Sequence, residues 1–203
     1  MKRQLQTTAF LDHQHAAFAA HTDQFLNIET AVEKAVAVYN YVRDHWRYNP
    51  YKVSTNPAHY KASYLLTLNE GHCIDKSILM IAMLRRLGIP ANLQLTKVQN
   101  HIAVERLIEK FGTNELAPHG YVNLFLEEQW VKASPAFNES LCEKFNVAPL
   151  EFNGREDAIL QEFNKDGQSF MQYLEDYGSF NDLPLDFIFS IWKNHYPDFE
   201  TLQ

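Results

Sequence analysis

The sequence predicts an α+β fold, and three stretches carry that prediction. From Ile74 to Leu87 the chain is apolar around most of a helical circumference and contains neither glycine nor proline, as a helix through the centre of a domain requires. Upstream, Ala31, Ala35, Val38, Val42 and Trp46 recur at helical spacing. Downstream, Ala91, Leu93 and Leu95 alternate with Asn92, Gln94 and Thr96, and the stretches His119 to Leu126 and Trp130 to Ser134 flank Glu127-Glu128-Gln129 as a hairpin. Helices first and antiparallel strands afterwards indicate α+β, in one domain over residues 1–203.

Each element has its own signal. Residues 5–27 mix apolar positions with histidines, and Asp12-His13-Gln14-His15 reads as a solvated loop or helix start, because no second ligand group stands at a zinc spacing. Asn27 or Thr30 caps the first amphipathic helix, with Glu29 and Glu33 near its positive end. Pro50 and Pro57 then make a loop whose Tyr48, Tyr51 and Tyr60 either cover the core or meet a substrate. Gly88 stops the central helix and Pro90 prevents its resumption, so a half-buried strand follows over 91–96. Residues 101–111 return to helical character, and 112–118 form a loop before the hairpin. Beyond Phe137, scattered apolar residues suggest helix and loop packing, 168–173 a strand, and 182 onward a last helix with Phe187, Ile188, Ile191 and Trp192. Asn164 to Gly167 is a turn, since the acidic positions of a calcium loop do not follow. The core is expected over 30–138, with 139–203 packed on it.

Composition removes several classes of function. With 203 residues, 46% hydrophobic, the chain can bury a full core. A net charge of −7 lacks the basic footprint of a nucleic-acid binder, so no nucleic-acid partner is expected. No window reaches the length of a membrane span, and the N-terminus lacks the apolar run of a signal peptide, which predicts a cytoplasmic protein with no membrane partner. Cys73 and Cys142 then read as free thiols, Cys142 as packing.

Chemistry concentrates at Gly71-His72-Cys73-Ile74-Asp75. Cys73 stands at the mouth of the central helix, where unpaired N–H groups favour a thiolate, and Gly71 leaves room for close approach. A cysteine nucleophile needs a base, usually a histidine held by a third group. His119 opens the second strand, on the same face as Tyr121, Asn123 and Phe125, while Trp130, Lys132 and Ser134 share a face on its partner. His72 reads as a loop residue near the cleft rather than a metal ligand, Asp75 as a structural residue suited to the helix dipole, and His45, His59, His101 and His195 as surface residues.

The pattern Gly71-x-Cys73-x-Asp75, the helix end Leu84-Arg85-x-x-Gly88-Ile89-Pro90-Ala91, then His119, Tyr121, Trp130 and Ser134-Pro135 resembles the core of the transglutaminase-like superfamily, and Tyr41 to Tyr48 is similar to the helix preceding that core. The resemblance implies a papain-like α+β fold with the nucleophile helix on an antiparallel sheet. It also implies a Cys-His-Asp triad working through a thioester, with Cys73 as nucleophile and His119 as base. The position that usually holds the aspartate is Ser134, whose hydroxyl can fix an imidazole tautomer but brings no charge. Asn123 and Asn138 are alternatives for that third position. The Cys73 N–H is one natural oxyanion donor, with Asn69 or a loop tyrosine as the second. No cofactor and no metal are expected. The implied activity is a cysteine hydrolase, a protease or amidase acting on a peptide or amide-containing substrate. The alternative is a non-catalytic binding or scaffold domain with a degraded triad. Oligomeric state does not follow from the sequence.

Overall fold

The computed structural model describes residues 2–196. Its helices are α1 (Ala19–Thr22), α2 (Ala31–His45), α3 (Ala62–Leu65), α4 (Cys73–Arg86), α5 (Glu105–Phe111), α6 (Glu139–Lys144) and α7 (Leu185–His195). Its strands are β1 (Arg47–Tyr48), β2 (Glu70–Gly71), β3 (Ala91–Asn100), β4 (Glu115–Leu126), β5 (Gln129–Ala133) and β6 (Met171–Phe180). β1 and β2 form a small parallel pair, and the other four strands an antiparallel sheet in the order β5-β4-β3-β6.

Local chemistry sets the helix ends. Thr30 caps α2 in a reciprocal box, its Oγ1 accepting the Glu33 N–H at 3.1 Å while Glu33 Oε2 accepts the Thr30 N–H at 3.4 Å. At the far end of α4, Gly88 at φ +80° lets the Gly88 N–H donate to the Arg85 carbonyl and the Ile89 N–H to the Leu84 carbonyl, satisfying carbonyls the helix leaves over. Arg85, fully buried, reaches from that end to the carbonyls of Gln6, Ala91 and Asn181, so one guanidinium ties the N-terminal segment, the start of β3 and the segment before α7. Asp12 binds the Ser63 N–H and hydroxyl, and Arg86 Nη1 donates to the His13 carbonyl. Of the expected solvated loop or helix start at 12–15, the helix start is what forms, with His15 capping a 3-10 turn over Ala16–Phe18; Gln14 and His15 are exposed, while Asp12 is docked and His13 buried. Of the four histidines expected on the surface, His45 and His101 are exposed, and His59 and His195 are half-buried.

α4 is buried along almost its whole length and packs against the sheet. A Cβ added to Gly120 would lie 2.9 Å from Ile74 Cγ1 and 3.2 Å from Ile74 Cα, which fixes the sheet face that α4 covers. Residues directly opposite each other share a face, so Gly120 with Leu95, Val122 with Leu93, and Leu124 with Ala91 form that apolar face. His119 with Thr96, Tyr121 with Gln94, and Asn123 with Asn92 form the other.

Three expectations change. β3 is a central strand, between β4 and β6, and its Asn92, Gln94 and Thr96 are buried rather than solvated. Asn123 Nδ2 donates to Asn92 Oδ1 at 3.1 Å, Gln94 Oε1 at 2.9 Å and Ser179 Oγ at 3.0 Å, and Gln94 Nε2 donates to Asp176, which gives buried amides partners. β4 begins at Glu115, inside the expected loop, because Leu116 and Glu115 extend the ladder to Val98 and Gln99. The strand expected at 168–173 runs from Met171 to Phe180, registered along β3 from Asn100 to Leu93.

Candidate functional site

Cys73 is the first residue of α4, and its neighbours in sequence build the helix entrance. The Asp75 N–H donates to His72 Nδ1 at 3.1 Å and the His72 main-chain N–H donates to Asp75 Oδ2 at 3.0 Å, so His72 and Asp75 cap the helix reciprocally. Gly71 permits this: a Cβ there would lie 2.8 Å from Asp75 Cβ. His72 is thus the cap rather than a loop residue. Imidazole is an unusual capping group, but the acidic residue at the third helical position was visible as half of a capping box.

The Cys73 thiol is 6% exposed. The Gly120 N–H donates to its sulfur at 3.5 Å, from the strand residue that follows His119. The sulfur opens on a cavity of about 30 Å³, room for a water or two, walled by His72, Tyr48, Pro118, Phe111, Trp192 and Tyr196 among others. Tyr196 Oη accepts the Ala117 N–H at 2.8 Å, which fastens the segment after α7 over β4. Beside this cavity, and sharing Tyr48, Pro50 and Leu116 with it, lies an open groove of about 680 Å³.

Burial decides the charge state. It pushes the Cys73 thiol up to about 12, with the Gly120 N–H opposing the rise and the Asp75 carboxylate adding to it. His119, 3% exposed, is held down at about 4 by burial and then by the neighbouring His72. The helix N-terminus was expected to favour a thiolate, yet removal from water outweighs it, and the two groups are a neutral thiol and a neutral imidazole at pH 7.

The three residues proposed from sequence divide between two places. His119 and Ser134 line a small cavity with Ala136, Phe137 and Met171, whereas Cys73 lines the one described above. Among the described residues, no hydrogen bond joins His119 to Cys73 or to Ser134, and His119 Nδ1 is buried without a partner. Ser134 is held through its main chain: its N–H donates to the Ala158 carbonyl at 2.8 Å and its carbonyl accepts the Tyr39 hydroxyl at 3.2 Å. The two alternative third members are engaged elsewhere, Asn123 in the sheet network and Asn138 with the Tyr48 N–H and the Ser140 hydroxyl. No group of three or more His, Cys, Asp or Glu side chains converges among the described residues, and no described helix is long and apolar enough to cross a membrane.

Residues 19–135 match the sequence profile of the transglutaminase-like superfamily, with Cys73, His119 and Ser134 inside the matched span. The chain belongs to the transglutaminase-like superfamily. A crystal structure from Cytophaga hutchinsonii, of a protein provisionally described as a cysteine protease, is similar to this transglutaminase-like chain with a TM-score of 0.50 and 20% identity, over 66% of this chain and 40% of that one. At that identity the likeness speaks to the fold alone, which agrees with helices packed on an antiparallel sheet. Two arginine–tRNA ligases, from Pectobacterium carotovorum and Pectobacterium atrosepticum, are each 35% identical to the transglutaminase-like chain over 72 residues. That stretch is 36% of this chain, and the chain spans 12% of the length of those curated relatives.

Proposed function

We propose that this protein is a cysteine hydrolase, a protease or amidase, that attacks a peptide or amide carbonyl through Cys73 with His119 as the base. The observation that carries the reading is the position of Cys73: first residue of a long helix, sulfur contacted by the N–H of the residue after His119, and facing a cavity beside a groove. Membership of the superfamily supports it. The groove suits an extended peptide, with Tyr51, Phe137 and Phe170 as apolar wall and charged sides of both signs, Arg47, Arg106 and Lys144 with Glu70 and Glu105. Water as the second acceptor gives hydrolysis of the thioester. Ser134 orients the imidazole in place of the usual aspartate, and the proposed compartment is the cytoplasm.

On this reading the neutral pair is a resting state, and because His119 stands on the face of β4 turned from α4, productive binding also has to move the start of β4 to bring the imidazole to the thiol. The test is hydrolysis of a fluorogenic peptide-amide library. Cys73→Ala should abolish turnover and His119→Ala should lower kcat/KM by at least about a hundredfold. Unchanged turnover in Cys73→Ala would sink the reading.

A second reading, a non-catalytic binding domain, is favoured by one observation: among the described residues, His119 Nδ1 has no hydrogen-bond partner and no bond joins His119 to the thiol. It predicts iodoacetamide alkylation of Cys73 with the same pH midpoint in wild type, His119→Ala and Ser134→Ala. A midpoint that rises in the His119 variant supports the hydrolase.

A further inference from the structure

The part of His72 that the helix cap leaves over is its far nitrogen. Nδ1 accepts the Asp75 N–H, so in the neutral ring the hydrogen resides on Nε2. With Nδ1 accepting, Nε2 is a donor. Among the described residues it is buried with no hydrogen-bond partner, in a residue 4% exposed. A donor left unpaired out of water costs free energy, and such groups in folded proteins mark strain or a role the resting structure does not display.

The surroundings say what would satisfy it. The Nδ1 end of the ring is turned to the helix, so the Nε2 end is on the side away from it. His72 walls the Cys73 cavity together with Trp192, whose ring centroid is 5.9 Å away, while Tyr60 lies at 6.2 Å. Nε2 is itself closed off at rest, so an acceptor entering that cavity beside the sulfur reaches this N–H only after the wall gives.

We propose that His72 is a catalytic donor for the Cys73 reaction: its Nε2–H receives the oxyanion formed when the sulfur adds to a carbonyl. This rests on Cys73 being an acyl-accepting nucleophile. In the step, the thiolate pair forms the C–S bond, the carbonyl π pair moves to oxygen and is held by His72 Nε2–H with the Cys73 main-chain N–H. The tetrahedral species then collapses, the leaving group departing with its bonding pair while the C=O reforms. The ring does not change its proton count in this step. It differs from His119, whose proposed task is to take the thiol proton.

The test separates oxyanion stabilisation from thiol activation. Full-length protein is acylated with p-nitrophenyl acetate, followed as nitrophenolate release in a single burst, and alkylated with iodoacetamide at the same pH. Acylation develops an oxyanion and alkylation does not. His72→Ser retains a side-chain oxygen able to accept the Asp75 N–H, so the cap survives, but it has no group at the position of Nε2. Expected is a fall of about a hundredfold in the ratio of acylation to alkylation rate, in line with loss of one oxyanion donor, with alkylation and thermal unfolding little changed. A ratio unchanged from wild type, with both rates equal or lowered together, overturns the proposal and returns His72 to a purely capping role. His72→Thr, a second hydroxyl cap with nothing at the Nε2 position, guards against a failed fold: an unchanged ratio there overturns the proposal equally. No Cys73-dependent burst in the wild type, judged against Cys73→Ala, overturns the nucleophile reading and this proposal with it. A burst with an unchanged ratio overturns this proposal alone.

Discussion

At the scale of single residues, burial shifts Cys73 and His119 in directions that separate them, and both shifts have measurable signs. His119 binds its proton at about 4 in the folded protein against about 6.5 when exposed, so between those values the unfolded chain holds more protons. Folding stability should therefore fall as pH drops from about 6.5 to about 4, by about 3 kcal/mol in all from this residue. Urea unfolding of wild type and His119→Phe across that range checks it, the variant giving the flatter profile. For Cys73 the thiol near 12 predicts iodoacetamide alkylation still climbing above pH 9 in the free protein, while a small-molecule thiol levels off. A plateau by pH 8 would show that the closed form is not the reacting one.

Lys76, one turn into α4 and fully buried, is a third residue of this kind. Its Nζ donates to the Arg43 carbonyl at 2.8 Å and the Ala136 carbonyl at 2.7 Å, and burial lowers its ammonium to about 7. Lys76→Met would strand two carbonyls out of water. A loss of about 2 to 4 kcal/mol is expected by chemical denaturation.

Among the elements, α4 and β4 define the site by how closely they approach. Gly120 is the contact where this is tightest, and its N–H is also the donor to the sulfur. Gly120→Ala would press a methyl group into Ile74 and move strand from helix, costing about 1 to 3 kcal/mol and loosening the Cys73 contact. Stability and alkylation rate measured on the same variant should change together. Both elements were legible from the sequence because their signals are local: the apolar run of α4, its Gly88 stop and the alternation of β4 need no partner to be read. The second buried face of β3 was not, since it depends on pairing with β6 some eighty residues away. The cap at His72 lay between these cases. Asp75 announced it, but its partner was a residue type that rarely plays that part.

For the whole molecule, the wall of the Cys73 cavity draws on a helix that lies outside the matched superfamily span. α7 supplies Trp192, and Tyr196 follows it, at the wall of the Cys73 cavity. Trp192→Ala should raise the alkylation rate of Cys73 at least about tenfold at pH 8, with Cys142 as the internal control read by peptide mass mapping. An unchanged rate would show that the wall is opened elsewhere. The sequence pointed to this tail as packing on the core, and to the thiol as activated. Trp192 and Tyr196 line the cavity at the sulfur, and burial there pushes the thiol up rather than down.

Arg85 extends this dependence to the order in which the chain is made. A ribosome releases residues 19–135, the whole superfamily match, before Asn181 has been synthesised. Until then the guanidinium at the end of α4 lacks one of its three carbonyl partners and β3 lacks its neighbour β6. A nascent or truncated chain ending near residue 138 would therefore hold α4 against a half-finished sheet, with Arg85 one carbonyl short. Synthesis of the last third of the chain is what turns the signature-bearing segment into a protected thiol.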